Sequence, residues 1–218
     1  MELIWHGHSF FEIKSKINQG KITIAIDPFL GKIGLKPPRK IEADILIISH
    51  QHCDHSNKEI IKGEPFLIEE PGEYEIKDVR VKGIPSSYGK VEGKERGLNT
   101  IFVIDVEGVK ICHMGDFSES ELSPSQLEDI FGAGVLLIPV GGNFTISGKE
   151  AVKIISQVEP KIVVPMHYKI PGIKLDLEDE KPFLKAIGIK EKEKIKKLKI
   201  KKGELQKDET EVVLLEKI

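Results

Sequence analysis

Ser49-His50-Gln51-His52-Cys53-Asp54-His55-Ser56 decides the reading of this chain. It places three imidazoles and a carboxylate at positions 50, 52, 54 and 55. A neutral imidazole nitrogen or a carboxylate oxygen binds zinc or a similar cation at about 2.0–2.2 Å. Donors packed this closely suit neither an apolar core nor an ordinary solvated loop. The plainer alternative is a polar loop that happens to be rich in histidine, and the rest of the chain weakens it. The seven histidines are His6, His8, His50, His52, His55, His113 and His167. Each sits in a short polar turn beside an apolar, β-prone run.

Working outward, the strands deliver these groups at their ends. Ile24-Ala25-Ile26 ends at Asp27, and Ile45-Leu46-Ile47-Ile48-Ser49 ends at His50. Val109-Lys110-Ile111-Cys112 ends at His113 with Asp116 three residues on, and Ile162-Val163-Val164-Pro165-Met166 ends at His167. Rigid strands hold their end loops in place, so ligands from several strand ends can converge on one cleft. A convergent set of His50, His52, Asp54, His55, Asp116 and His167 suffices for two metals. Two metals about 3.5–4 Å apart need a bridging group, and Asp116 fits that place. Asp54 is then placed to orient a metal-activated water, whose pKa falls near 7.

The remaining segments fill in a layered α/β protein. Glu2–Trp5, Ser9–Ile13, Lys21–Ile26, Asp44–Ile48, Pro65–Ile68 and Val79–Ile84 read as strands. Thr100–Val106 and Val109–His113 read as a hairpin across Glu107-Gly108. Capping boxes at Ser56-Asn57-Lys58-Glu59, Ser123-Pro124-Ser125-Gln126 and Ser147-Gly148-Lys149-Glu150 announce helices. The second should stop at Gly132, and the third opens Lys149–Val158, where Ala151, Ile154, Ile155 and Val158 share one face. Glu178–Ile187 is a fourth helix, begun or interrupted near Pro182. Leu198 and Ile200, alternating with lysines, predict an edge strand that Thr210–Leu215 can join. Helices separated by single buried strands predict two sheets inside and helices outside. No linker divides the chain, so one domain over residues 1–218 is expected.

Composition narrows the function. The chain has 218 residues, 39% hydrophobic and 31% charged, with a formal net charge of −2. That balance predicts no strong attraction to nucleic acid or to an anionic membrane. The basic run from Lys190 to Lys202 has no aromatic residues between its lysines, as nucleic-acid stacking would want. No apolar run reaches the roughly 20 residues that span a bilayer. The N-terminus shows no signal-peptide pattern, and the two cysteines, Cys53 and Cys112, form no disulfide framework. Both read as small buried fillers, and the expected location is cytoplasmic. Abundant Lys and Glu with scarce Asn and Gln resemble thermophilic proteins.

The segment Ser-His-Gln-His-Cys-Asp-His resembles the His-x-His-x-Asp-His signature of the metallo-β-lactamase superfamily. The resemblance continues in order along the chain, through Asp27, through Asp116 in His113-Met114-Gly115-Asp116, and through His167 in Pro165-Met166-His167-Tyr168. Trp5-His6-Gly7-His8-Ser9, Asp27-Pro28-Phe29, Arg96-Gly97-Leu98-Asn99-Thr100 and Pro139-Val140-Gly141-Gly142-Asn143-Phe144-Thr145 look like its branch of ascorbate-6-phosphate lactonase-like, zinc-dependent hydrolases. The resemblance implies a four-layer αββα sandwich with metal at one edge. It implies His50 and His52 on a first metal, Asp54, His55 and His167 on a second, and Asp116 as the bridge. The family's further histidine is missing between His55 and His113, and spacing puts Tyr88 in its place. A neutral phenol, with a pKa near 10, is a weak ligand. The first site then holds metal weakly, borrows His8 or His113, or stays empty.

His8, paired with His6 at i, i+2, orients a ligand or meets substrate. His113 is expected behind the ligands. Gly141-Gly142-Asn143 is either a plain turn or a mouth loop offering N–H groups to an oxyanion. The expected function is a hydrolase using a divalent metal, one or two ions, zinc with manganese or iron as alternatives. Its substrate would be a small-molecule ester, lactone, amide or phosphodiester. The rivals are a degenerate binding protein with one metal or none, and a phosphodiesterase or nuclease. A di-iron redox protein ranks behind them for want of a flavin module.

Overall fold

The structure is a computed structural model that describes residues 1–18, 20–91, 94–205 and 209–218, with backbone only at 89–91, 94–96 and 204. In chain order the strands are β1 (Glu2–Gly7), β2 (Phe10–Ile17), β3 (Gly20–Ile26), β4 (Ile41–Glu42), β5 (Ile45–Ile47), β6 (Ile61–Lys62), β7 (Phe66–Ile68), β8 (Gly72–Ile76), β9 (Val79–Val91), β10 (Lys94–Val106), β11 (Val109–His113), β12 (Val135–Pro139), β13 (Ile162–Met166), β14 (Lys194–Ile195), β15 (Leu198–Lys199), β16 (Glu211–Val212) and β17 (Leu214–Leu215). Three helices are described: α1 (Pro124–Ile130), α2 (Gly148–Val158) and α3 (Lys181–Ala186).

Two large sheets form the centre. One runs β15-β1-β2-β3-β5-β7 and the other β16-β13-β12-β11-β10-β9-β8. In the first, β3, β5 and β7 are parallel, and β1, two antiparallel steps from β3, points the same way. In the second, β11, β12, β13 and β16 are parallel, and β9 shares their direction through β10. The sheets meet where the Phe11 ring lies 5.9 Å from that of His113, and where Thr100 N–H donates to the Ser49 carbonyl. Parallel strands covered on both faces need continuous apolar runs. Ile45–Ile47 and Val135–Pro139 are buried at every residue.

The hairpin at Glu107-Gly108 forms as expected, with Val106 opposite Val109 and both turn residues at positive φ. The capping boxes of α1 and α2 form too, through Ser123 with Gln126 and Ser147 with Glu150. Ala151, Ile154, Ile155 and Val158 of α2 are all buried. Other expectations are corrected. Ser56 caps no helix: its hydroxyl donates to the His52 carbonyl, and the chain makes only a 3-10 turn at Lys58–Ile60. The helix expected at Glu178–Ile187 starts at Lys181, with Pro182 in its first turn, where a missing N–H costs nothing. Leu198–Lys199 pairs with β1, while the Thr210–Leu215 segment joins β13 through β16 and β14 through β17. Strand β8 is an addition, joined to β9 by Lys77-Asp78, both at positive φ without a glycine. Cys112 is buried, but Cys53 is exposed. No helix among the described residues is long and apolar enough to cross a membrane.

The close seat of α2 on α3 depends on Gly148. A Cβ there would lie 2.6 Å from the Phe183 backbone. Gly148→Ala should therefore destabilise the fold by about 1–3 kcal/mol through overpacking, and chemical denaturation at neutral pH checks it.

Candidate functional site

The carboxyl ends of β1, β3, β5, β11 and β13 lie on one edge of the sandwich. Each delivers a polar group there. Three of these, His8, Asp27 and His167, sit in the left-handed region, with φ of +54°, +51° and +52°. Such backbone is costly for a residue with a side chain and is found where a site demands it.

Asp27 is fully buried and accepts from Ser49 N–H at 2.7 Å, Ser49 Oγ at 2.6 Å and His55 Nδ1 at 2.9 Å. Burial would raise its pKa, but the hydrogen bond and charge of His55 outweigh it and hold Asp27 as a carboxylate. An ionised carboxylate only accepts, so one proton lies on His55 Nδ1, and once the ring gives up its second proton, as a bound cation requires, the lone pair is on Nε2. The single Ser49 hydroxyl proton likewise goes to Asp27. Its oxygen can then only accept from His50 Nδ1, 3.0 Å away, which leaves a lone pair on His50 Nε2.

Those two Nε2 atoms face Asp116. Its Oδ1 lies 3.2 Å from His55 Nε2 and 3.3 Å from His167 Nε2, and its Oδ2 lies 3.7 Å from His50 Nε2. His50 Nε2, His55 Nε2 and Asp116 Oδ1 are buried without a hydrogen-bond partner among the described residues. His8 Nε2 bonds Asp54 Oδ2 at 3.2 Å, and the His8 ring lies 4.2 Å from that of His167. Two groups of donors have atoms all within 4.8 Å of one another: His8, Asp54, His55 and His167, and His50, His55 and Asp116. Each could hold a metal ion.

His52 is in neither group. It is exposed, and its Nε2 lies 3.0 Å from the Tyr88 hydroxyl. The Tyr88 ring lies 4.7 Å from those of both His50 and His52. Tyr88, His52, Asp54, Asp116, Phe144, His167 and Leu175 line a pocket of about 160 Å³. His113 stands behind the donors with both nitrogens engaged: Nε2 donates to the Ser9 carbonyl at 2.9 Å, and Nδ1 accepts from Gly115 N–H at 3.1 Å. The Asn143 amide donates to the Asp176 carbonyl, and the N–H groups of Gly142 and Phe144 bond within their own loop. Phe144, rather than Asn143, faces the pocket.

His6 and His8 do not share a face. The register shifts between Trp5 and Gly7, and His6 pairs instead with buried Glu12 at 3.2 Å. The sequence offers His8 only as a donor borrowed by the first site; the structure puts it instead with Asp54, His55 and His167, because β1 and β3 run in the same sense. Sequence reasoning passed over Asn99. This buried amide donates to Ser86 Oγ and the Met114 carbonyl, and its oxygen accepts from Asp116 N–H at 3.0 Å. Only its place in Arg96-Gly97-Leu98-Asn99-Thr100 marked it.

Burial, reinforced by His167, pushes His8 down to about 4; burial and then His55 do the same to His50. Burial also lowers His113. Burial opposes charge on His55, but Asp116 and Asp27 outweigh it and lift that imidazole well above its usual value. Burial would raise Asp54 and Asp116, yet the histidines around them hold both carboxyls below the usual range.

An imidazole with a folded pKa below its unfolded value contributes fully above pH 6.5 and loses that contribution as pH falls toward 4. For His8 and His50 the shift is on the order of 3 kcal/mol each. His113 adds in the same direction, while His55, with its pKa raised, contributes fully below pH 6.5 and loses that contribution only as pH rises above it. The chelator-treated protein should therefore lose stability as pH falls from about 6.5 to 4, because the three lowered imidazoles act in that window and His55 does not. Chemical denaturation across that window would contradict this if stability stayed level or rose.

The fold and edge match known proteins. A family model described as Beta-lactamase superfamily domain matches residues 2–167. A Thermococcus onnurineus protein named UPF0173 metal-dependent hydrolase is 34% identical over 215 residues, covering 84% of this chain and 91% of that relative. A Staphylothermus marinus protein of the same name is 31% identical over 207 residues, covering 83% and 89%. A crystal structure of a Thermotoga maritima protein of the metallo-β-lactamase superfamily superposes with a TM-score of 0.78 at 32% identity, over 98% of this chain and 97% of that one. Igni18 from Ignicoccus hospitalis shares the fold at 21% identity, with a TM-score of 0.66 over 99% and 94% of the two chains. With its model match, its relatives and its two-sheet architecture in agreement, this chain belongs to the metallo-β-lactamase superfamily.

Proposed function

We propose that the chain is a metal-dependent hydrolase of small, uncharged acyl compounds, with a lactone or ester as substrate. One observation carries the metal dependence. His50 Nε2, His55 Nε2 and Asp116 Oδ1 converge, buried and unpartnered. Unsatisfied buried polar atoms cost roughly 1–3 kcal/mol each, and a cation answers all three at once. Imidazole nitrogen with carboxylate oxygen fits zinc, and also manganese or iron. The names of the relatives agree with this reading.

His8, Asp54, His55 and His167, or His50, His55 and Asp116, would hold the ion. When bound, the metal polarises the substrate's carbonyl and makes a water nucleophilic at neutral pH. The protein's own groups do the rest. Asp27 and Ser49 fix the tautomers of His55 and His50 so that each presents a lone pair. Asp54 borders the pocket as a carboxylate, where its oxygens can orient the attacking water and accept its proton. Phe144 and Leu175 supply an apolar wall for an acyl chain.

The pocket's size and charge favour this substrate class over a phosphodiester or nucleic acid. A volume of about 160 Å³ admits a small group, and none of the lining residues is Lys or Arg. Phosphate recognition relies on such cations. The resemblance to the lactonase-like branch points the same way. A cytoplasmic location accords with a small-molecule substrate.

Removing metal with chelator should lower the melting temperature and abolish hydrolysis, and zinc or manganese should restore both. Asp116→Asn should lower metal content and reduce kcat/KM by about 100-fold. Metal content unchanged by that substitution, measured by elemental analysis, would refute the site. On a panel of probes, p-nitrophenyl acetate and a simple γ-lactone should be cleaved at least ~10-fold faster than bis(p-nitrophenyl) phosphate. The reverse order would move the reading to phosphodiester hydrolysis.

A further inference from the structure

The two donor groups are not independent. Both contain His55. Its Nδ1 is bonded to buried Asp27 at 2.9 Å. Only Nε2 remains, and a neutral imidazole nitrogen has one lone pair. A carboxylate can bridge two cations through its two oxygens, but this nitrogen cannot serve two. A second ion would therefore keep only His50 and Asp116 from its group, too few protein ligands for a stable site. His52 would be the natural third, but the Tyr88 hydroxyl meets its Nε2 at 3.0 Å.

We propose that this site holds one cation, because both donor groups draw on the lone pair of His55 Nε2 and Tyr88 holds the nitrogen of His52 that would complete a second set. The inference rests on the metal dependence argued above and sets its stoichiometry. Tyr88 acts through His52. It reaches in from β9, which runs parallel to β11 and carries the phenol over the site's edge. An isolated bridge between Tyr88 and Phe117 fixes it beside Asp116. Ring contacts at 4.7 Å pack the phenol against both His50 and His52, whose own rings lie 5.0 Å apart.

The test uses the full chain stripped with chelator, dialysed, and titrated with zinc chloride alone by calorimetry. Elemental analysis gives the retained metal and circular dichroism the fold. Wild type should take up one equivalent. Tyr88→Phe, which removes the hydroxyl and keeps the ring, should admit a second, weaker equivalent. His52→Ala should keep the single equivalent with affinity changed less than threefold. Two equivalents in wild type would overturn the proposal and leave the hydrolase reading intact. So would loss of metal in His52→Ala, or a single equivalent in Tyr88→Phe. No bound metal in any folded form would overturn both readings together.

Discussion

The carboxylate of Asp27 is the constraint on which the site depends. A charge with no solvent access survives only when its lone pairs are filled, and removing a partner from such a group is strongly destabilising. Asp27 receives a backbone N–H, a hydroxyl and an imidazole N–H from two positions of one loop, Ser49 and His55. Those bonds bind the end of β3 to the end of β5. They also fix which nitrogen of His55, and through Ser49 which nitrogen of His50, faces the cavity. One buried charge thus sets two tautomers and the entry angle of the histidine-rich loop.

The second sheet answers with a matching arrangement. Asn99 and His113 each bond the Asp116 loop, and Gly115 lies so close to Asn99 that a Cβ would fall 2.2 Å from its Oδ1. The His8 carbonyl takes the N–H of His167, which joins the edges of the two sheets directly. The left-handed backbone at His8, Asp27 and His167 costs about 1–3 kcal/mol at each position. The apolar strands beneath supply the rigidity that sustains it. Function and strain coincide because an imidazole pointing across the gap between sheets must leave its strand abruptly.

On the one-ion proposal, the Tyr88 and His52 pair would alter the chemistry without altering the frame. In a two-ion site His52 would be a ligand, whereas its Nε2 lies 3.0 Å from the Tyr88 hydroxyl. His52 borders the same pocket as Tyr88, Phe144 and Leu175. Such a rim would select by shape and hydrogen bonding more than by charge.

Local chemistry made much of this legible before any coordinates. Alternation and apolar runs placed most strands, because strand burial repeats at fixed short intervals. The boxes at Ser123 and Ser147 placed two helices, because capping is settled within four residues. The cluster from His50 to His55, with Asp27, Asp116 and His167, stood out because each lies at or just beyond the end of an apolar strand. Other features depended on distant partners. Ser56 carries a capping pattern, but its hydroxyl bonds the His52 carbonyl. His8 joins the donors because β1 runs alongside β3 in direction, which no local pattern encodes. The bond between His52 and Tyr88 joins residues 36 positions apart. Sequence by itself determined which groups could bind a cation, since that follows from side-chain chemistry and strand period. Tertiary structure alone decided which of them share a lone pair and which are already taken, since that depends on distances across two sheets.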